Sequence, residues 1–295
     1  NVMFVQPSKK LLTLAIAGIV SGTAQAQNEA VLDDVVVTAT GYEQQAKNAP
    51  ASISVITREE LENRHYRDIT DALHNVPGVM VTGGGSSQDI SLRGMASKYT
   101  LILVDGKRQG SRETRPNSDG PGIEQGWLPP LSAIERIEVI RGPMSSLYGS
   151  DALGGVINII TRKVPKDWHA SVTAETVIQE NSDSGDSGQG RFYVVGPLQS
   201  GLLGLQVYGQ YSQRDEDRII NGYSDQRLAS GTAKLTWTPG SDHDFAFEAG
   251  HSNQRRVSNP GYSIEAINPR SGQPNTRSKQ DYDRRHYAIN HTGRW

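Results

Sequence analysis

The sequence predicts an exported chain with two structural regimes: an N-terminal mixed α+β domain, followed by the first strands of a transmembrane β-barrel. Three observations carry this. Residues 1–26 have the form of a secretory signal, residues 50–165 mix helical and strand periods, and from residue 166 apolar and polar residues alternate between connections of alternating length.

The signal is read from Lys9 and Lys10, the apolar stretch Leu11 to Val20, and Ala24-Gln25-Ala26. That stretch is about half the roughly 20 residues needed to span a bilayer as a helix, and Ala-x-Ala suits signal peptidase, which places the mature start at Gln27. Residues 27–48 form a polar leader interrupted by the β-prone Val35-Val36-Val37.

Residues 49–165 read as one domain. Thr57 with Glu60 forms a capping box, and Ile69, Ala72, Leu73 and Val76 mark one face of a second helix that Pro77-Gly78 ends. Strands are expected at Ile53 to Ile56, Val79 to Thr82, Ile90 to Arg93, Leu101 to Val104, Ile137 to Ile140 and Val156 to Ile160. Gly83 to Ser87 and Gln109 to Gln125 are expected loops.

Residues 166–295 are expected to hold about six strands. Their apolar positions are Ala170, Val172 and Ala174; Phe192 and Val194; Leu203, Leu205, Val207 and Tyr211; Ala233, Leu235 and Trp237; Phe245, Phe247 and Ala249; Tyr287 and Ile289. Connections 181–189, 214–228 and 255–281 are long, and 197–202 and 239–242 are short, as in an outer-membrane barrel. A soluble β-sandwich also alternates and is the lesser alternative on this segment; the export signal and the loop lengths lower it further. Trp168, Tyr211, Trp237 and Trp295 fit interfacial girdles.

Composition excludes several functions. A chain without cysteine has no disulfide, thiolate zinc site, cysteine nucleophile or iron-sulfur cluster. Seven histidines lack metal-ligand spacing, Ser145 and Ser146 lack ordered His and Asp partners, and an exported chain of net charge -2 is a poor nucleic-acid binder. No enzyme is expected.

The run Ile134-Glu135-Arg136-Ile137-Glu138-Val139-Ile140-Arg141-Gly142-Pro143, then Ser146-Leu147-Tyr148-Gly149-Ser150 and Gly154-Gly155-Val156-Ile157-Asn158-Ile159-Ile160-Thr161, resembles the plug signature of TonB-dependent outer-membrane receptors. Ile90-Ser91-Leu92-Arg93-Gly94 and Leu101-Ile102-Leu103-Val104-Asp105-Gly106 resemble its earlier strands. Asp34-Val35-Val36-Val37-Thr38-Ala39 is similar to the TonB box, an extended segment that adds to the edge of a periplasmic partner's sheet. Within the family, Ala49 to Thr57, Thr100 to Arg108 and Pro143 to Gly155 are most similar to catecholate siderophore receptors of the colicin I and ferric enterobactin type.

The resemblance implies a plug inside the barrel and energised uptake of a ferric siderophore, with iron as cargo and no resident cofactor. It implies TonB with ExbB and ExbD, outer-membrane lipid, and colicin or phage as partners. It gives Arg93 and Arg141 the role of plug arginines paired with barrel glutamates beyond Trp295. Ligand contacts are expected from Gln88, Arg112 and Arg115 on the plug apex and from Arg255 and Arg256 on a net-positive outer loop. The rivals are another cargo (haem, cobalamin, hydroxamate), a signalling receptor with an extra N-terminal domain, and a non-transporting surface β-protein. Barrels of this kind need roughly 22 strands, so six strands are expected to be part of a longer wall.

Overall fold

The computed structural model describes residues 36–37, 44–45, 52–64, 66, 68–82, 89–109 and 128–293. The signal segment, Asp34, Val35, Thr38, Ala39, Gln88, Arg112, Arg115 and Trp295 lie outside them.

Two short strands lead the chain: β1 (Val36–Val37) and β2 (Gln44–Gln45) pair antiparallel. The mixed domain begins with β3 (Ser52–Ile56) and α1 (Arg58–Asn63), whose N-cap Thr57 accepts a hydrogen bond from Glu60 N at 3.3 Å. Helix α2 (Ile69–Leu73) is capped by Asp68, which accepts from Asp71 N at 2.8 Å, and its Ile69, Ala72 and Leu73 are buried. After Pro77-Gly78 come β4 (Val79–Thr82) and β5 (Asp89–Leu92), a separate antiparallel pair.

Next are β6 (Thr100–Val104), β7 (Lys107–Arg108), β8 (Ile134–Arg141), α3 (Ser145–Tyr148) and β9 (Gly155–Thr161). They complete a five-stranded sheet of order β3-β8-β9-β6-β7, antiparallel except for the parallel pair β6 and β9. Its central strands are apolar almost throughout because both faces are covered: Ile137, Val139, Ile157 and Ile159 pack with α1, α2 and β5 through Leu61, Leu73 and Leu92. Leu103, Ile140 and Val156 pack with Ala152, Met144 and Tyr148.

Beyond residue 162 the chain forms an antiparallel meander of six strands, β10 (His169–Val177), β11 (Ser187–Gln199), β12 (Leu203–Arg214), β13 (Asp225–Trp237), β14 (His243–Ser258) and β15 (Ser278–Gly293). The registers align the apolar positions named above on one face: Val172 opposes Phe192, Val194 opposes Val207, Ala233 opposes Ala249, and Phe247 opposes Ile289. That face is bare, with Val172 at 82%, Tyr287 at 78% and Ile289 at 74% exposure, whereas Tyr193 on the other face is 1% exposed. A β-sandwich buries its apolar face against a second sheet; this wall instead turns its polar face to the mixed domain. Among the described residues no helix is long and apolar enough to cross a membrane.

Strands β14 and β15 extend further than alternation indicated. The last connection is 259–277 rather than 255–281, because antiparallel pairing continues through the polar stretch to Ser258 opposite Ser278. Backbone groups seek partners whether or not the side chains alternate.

At the long-loop end two carboxylates clasp three connections. Asp217 accepts from Gly185 N, Tyr223 N and Arg214, each at 2.9 Å. Glu216 accepts from Asn259 N and Ser263 Oγ, each at 2.6 Å. Partial burial pushes both carboxyls up, but the hydrogen bonds outweigh it: those from Ser263 and Asn259 hold Glu216, and those from Gly185, Tyr223 and Arg214 hold Asp217, below the ordinary carboxylate range. Such groups stabilise the clasp above their unfolded values of about 4 and release it as pH falls through the depressed ones. Amide exchange at Gly185, Tyr223, Asn259 and Ser263, corrected for its intrinsic rate, should therefore stay slow from about pH 8 to 5 and accelerate below about pH 3.5. Equal protection at about pH 7 and 3 would show that the carboxylates do not hold these loops.

Candidate functional site: the plug–wall seam

The turn from β6 to β7 consists of Asp105 (φ 49°) and Gly106 (φ 75°), the pair of positive φ angles that a two-residue hairpin turn of Asp-Gly type adopts. It projects Asp105 and Lys107 from the mixed domain toward the wall. A buried polar chain fixes its position: Arg136 pairs with Glu138 at 2.9 Å, Glu138 accepts from Asn158 Nδ2 at 3.4 Å, and Asn158 Oδ1 accepts from Gly106 N at 3.2 Å. Glu138 and Asn158 are 0% and 1% exposed, so each needs these partners.

Asp105 then joins three elements. Its Oδ1 accepts from Thr161 N at 2.8 Å, and its Oδ2 accepts from Thr161 Oγ1 and from Lys234 Nζ of β13, both at 2.7 Å. Lys107 Nζ donates to Glu248 Oε2 of β14 at 2.9 Å, and His286 Nε2 lies 3.1 Å from Glu248 Oε1. His286 lies over Gly250, where a Cβ would stand 2.1 Å from its Cε1; only a glycine lets the imidazole lie there. Arg284 donates to Gln109 Oε1 at 3.4 Å. Nearer the short turns, Tyr193, Val195 and Tyr208 of the wall close on Ala133 and Val164. Lys234, Glu248 and His286 carried no motif, and Asp105 and Lys107 stood inside one without a signal for their role.

The wall's inner face also bears arginines. Arg191 and Arg214 line a cavity of about 170 Å³ between the wall and plug residues Asp68, Ile69 and Leu128 to Leu131. Arg214 stacks on Tyr223, 4.0 Å from the ring centre. Arg256 and Arg284 have the same inward parity in β14 and β15.

Arg255 and Arg256 do not form the expected loop pair. Both lie within β14, where consecutive side chains take opposite faces: Arg256 is buried on the inner side, and Arg255 is outside, 3.9 Å from Asp281. Lys279 and Asp281 likewise belong to β15, so the connection itself carries Arg270 and Arg277 against Glu265.

Arg93 and Arg141 meet at the Pro77-Gly78 turn. Arg93 N donates to Gly78 O at 2.9 Å, and Arg141 donates to Pro77 O at 2.6 Å and Ser54 Oγ at 2.9 Å. Among the described residues neither is in an ion pair. Across the plug–wall seam, Asp105 pairs with Lys234 and Lys107 with Glu248.

A double-mutant cycle of Asp105→Asn and Lys234→Met, read from the plug's urea transition in detergent, should give a coupling of about 1–2 kcal/mol. Additivity within about 0.3 kcal/mol would mean that the seam is held elsewhere.

Residues 45–156 match the model of the TonB-dependent Receptor Plug Domain. The chain is 59% identical to the iron-regulated outer membrane virulence protein of Vibrio cholerae, over 98% of this chain and 44% of that protein. It is 33% identical to the ferrienterobactin receptor of Escherichia coli, over 97% of this chain and 41% of the receptor. The crystal structure of the siderophore receptor PirA from Acinetobacter baumannii superposes with a TM-score of 0.69 at 33% identity, covering 88% of this chain and 40% of that one. The chain thus spans less than half the length of these relatives. A plug docked on the inner face of six antiparallel barrel strands, with this match and these neighbours, shows that the chain belongs to the TonB-dependent receptor family.

Proposed function

We propose that this chain is the plug and adjoining wall of an outer-membrane receptor that takes up a ferric siderophore of catecholate type, energised through TonB. The inward arginines carry this reading. Arg191, Arg214, Arg256 and Arg284 turn toward the plug side, where a polyanionic ferric catecholate is attracted by fixed cations and bound by charge-assisted hydrogen bonds. Support also comes from the 33% identical relative named for ferric enterobactin.

Residues 1–26 act as a cleaved export signal, and 27–48 as the leader. The TonB box is Asp34 to Ala39. Its Val36 and Val37 pair with Gln45 and Gln44 in a ladder of only two residues, which a partner's sheet edge can extend or replace at little cost. Gln88, Arg112 and Arg115 make the first ligand contacts at the plug apex, together with Arg256; Arg255 is assigned no ligand role. Arg93 and Arg141 lock the plug by pairing with carboxylates elsewhere in the assembled receptor. A pull on the leader moves the plug, and the Asp105–Lys234 and Lys107–Glu248 pairs must then part.

In a complete receptor, Val36→Pro should abolish uptake of labelled ferric siderophore and leave surface binding nearly unchanged, because proline removes a main-chain donor from the strand offered to TonB. Uptake at the wild-type rate would remove the box assignment.

Arg112→Ala with Arg115→Ala should weaken ferric-catecholate binding about tenfold or more, and added salt should slow association. Normal binding by the double variant, or a preference of the intact receptor for haem or a neutral hydroxamate, would overturn the cargo assignment.

A further inference from the structure

At the short-turn end of the wall two histidines face each other. His243 opens β14 directly after the connection 238–242, and His291 stands near the end of β15. Both share the outward parity of Phe245, Phe247 and Ile289 and so point away from the plug. The register partner of His243 is Gly293, which has no side chain to meet it. His243 instead reaches across the diagonal to His291, the partner of Phe245, a distance that long side chains two residues out of register can span. Its Nδ1 comes within 3.1 Å of His291 Nε2.

As neutral rings the two share one proton: one nitrogen donates its N–H and the other accepts. The same spacing suits a metal ion. With bonds of about 2.0–2.1 Å, two imidazole nitrogens on one ion stand about 2.9 Å apart at a right angle and about 3.3 Å apart in a tetrahedron. The observed 3.1 Å lies between these limits. Loading asks only that the shared proton move to the far nitrogen of its own ring, so a neutral pair binds without a net loss of protons.

The stack beside the pair prepares it. His291 lies on Phe245 with ring centres 4.6 Å apart and planes at 20°, and Phe245 lies on Trp237 at 5.2 Å. A ring already held in place loses less side-chain freedom when a ligand arrives. A phenyl ring would complete this stack as well as an imidazole does; what the second histidine adds is the facing nitrogen. Among the described residues no group of three histidine, aspartate or glutamate ligands forms, so two imidazoles and water make up the coordination offered here.

We propose that His243 and His291 form a two-imidazole site for a divalent late transition-metal ion, copper(II) being held more tightly than nickel(II) or zinc(II). Imidazole suits these ions, and copper(II) stands highest in their affinity order. Magnesium and calcium take oxygen ligands, which the pair does not supply. The site is on the opposite face of the wall from the inward arginines, and the inference rests on the geometry of the pair and not on the cargo.

The test titrates the untagged full-length receptor in detergent with copper(II) and follows it by electron paramagnetic resonance. The wild type should give a copper signal split by two imidazole nitrogens, and millimolar magnesium should not displace it. His291→Phe, which keeps the stack on Phe245, and His243→Gln should each weaken binding about tenfold or more and remove that signal. His251→Gln, at the separate contact of His251 with Asp283, should leave it unchanged. Absence of the two-nitrogen signal from the wild type, its persistence in both pair variants, its loss in His251→Gln, or displacement by magnesium would each overturn the proposal. Heat-modifiable migration checks folding, and if one pair variant does not fold the other decides. If neither folds, the wild type is treated with diethyl pyrocarbonate with and without zinc(II): protection of His243 and His291 together, located by mass spectrometry, upholds the site, and equal modification overturns it.

Discussion

The Asp105 carboxylate is the point on which the two halves of this chain depend. Three donors from two domains converge on it within 2.8 Å. A partly buried carboxylate that lost Lys234 would keep both bonds from Thr161, and a lysine that lost Asp105 would keep one hydrogen bond, to Thr161 Oγ1 at 3.1 Å, and the field of Glu248. The junction is thus firmer on the plug side than on the wall side, which suits a plug that keeps its own shape while its attachment yields. The chain from Arg136 through Glu138 and Asn158 to Gly106 serves the same end: the polar residues embedded in the apolar signature strands hold the turn that presents Asp105.

The wall is governed by a second constraint, the period of two. Each strand serves two solvents, and one step along β14 separates Arg255, which faces outward, from Arg256, which is buried against the interior. The same alternation puts Lys234, Glu248 and His286 against the plug and Leu235, Phe247 and Ile289 outside. At the long-loop end the alternation stops and clasping begins: Glu216 and Asp217 satisfy backbone donors that no strand neighbour reaches, and so fix loops that would otherwise carry unpaired groups.

Much of this was legible in the residues. Thr57 with Glu60, the buried face Ile69, Ala72 and Leu73, and the outward apolar stripe all follow from interactions within a few positions, where chain chemistry alone decides conformation. The extent of β14 was not legible, because Arg255 to Ser258 pair through backbone atoms that every residue type carries.

By itself the sequence determined where most of the strands lie, which face of each wall strand is apolar, and that a mixed domain precedes an alternating one, since periodicity and turn chemistry are local. Only the tertiary structure decided which charges meet. Lys107 and Glu248 are 141 residues apart, Asp105 and Lys234 are 129 apart, and Arg227 faces Arg255 through sheet register. Nothing near those residues in the chain specifies their partners: electrostatic pairing depends on distance in space, and that distance is set only when the plug closes on the wall.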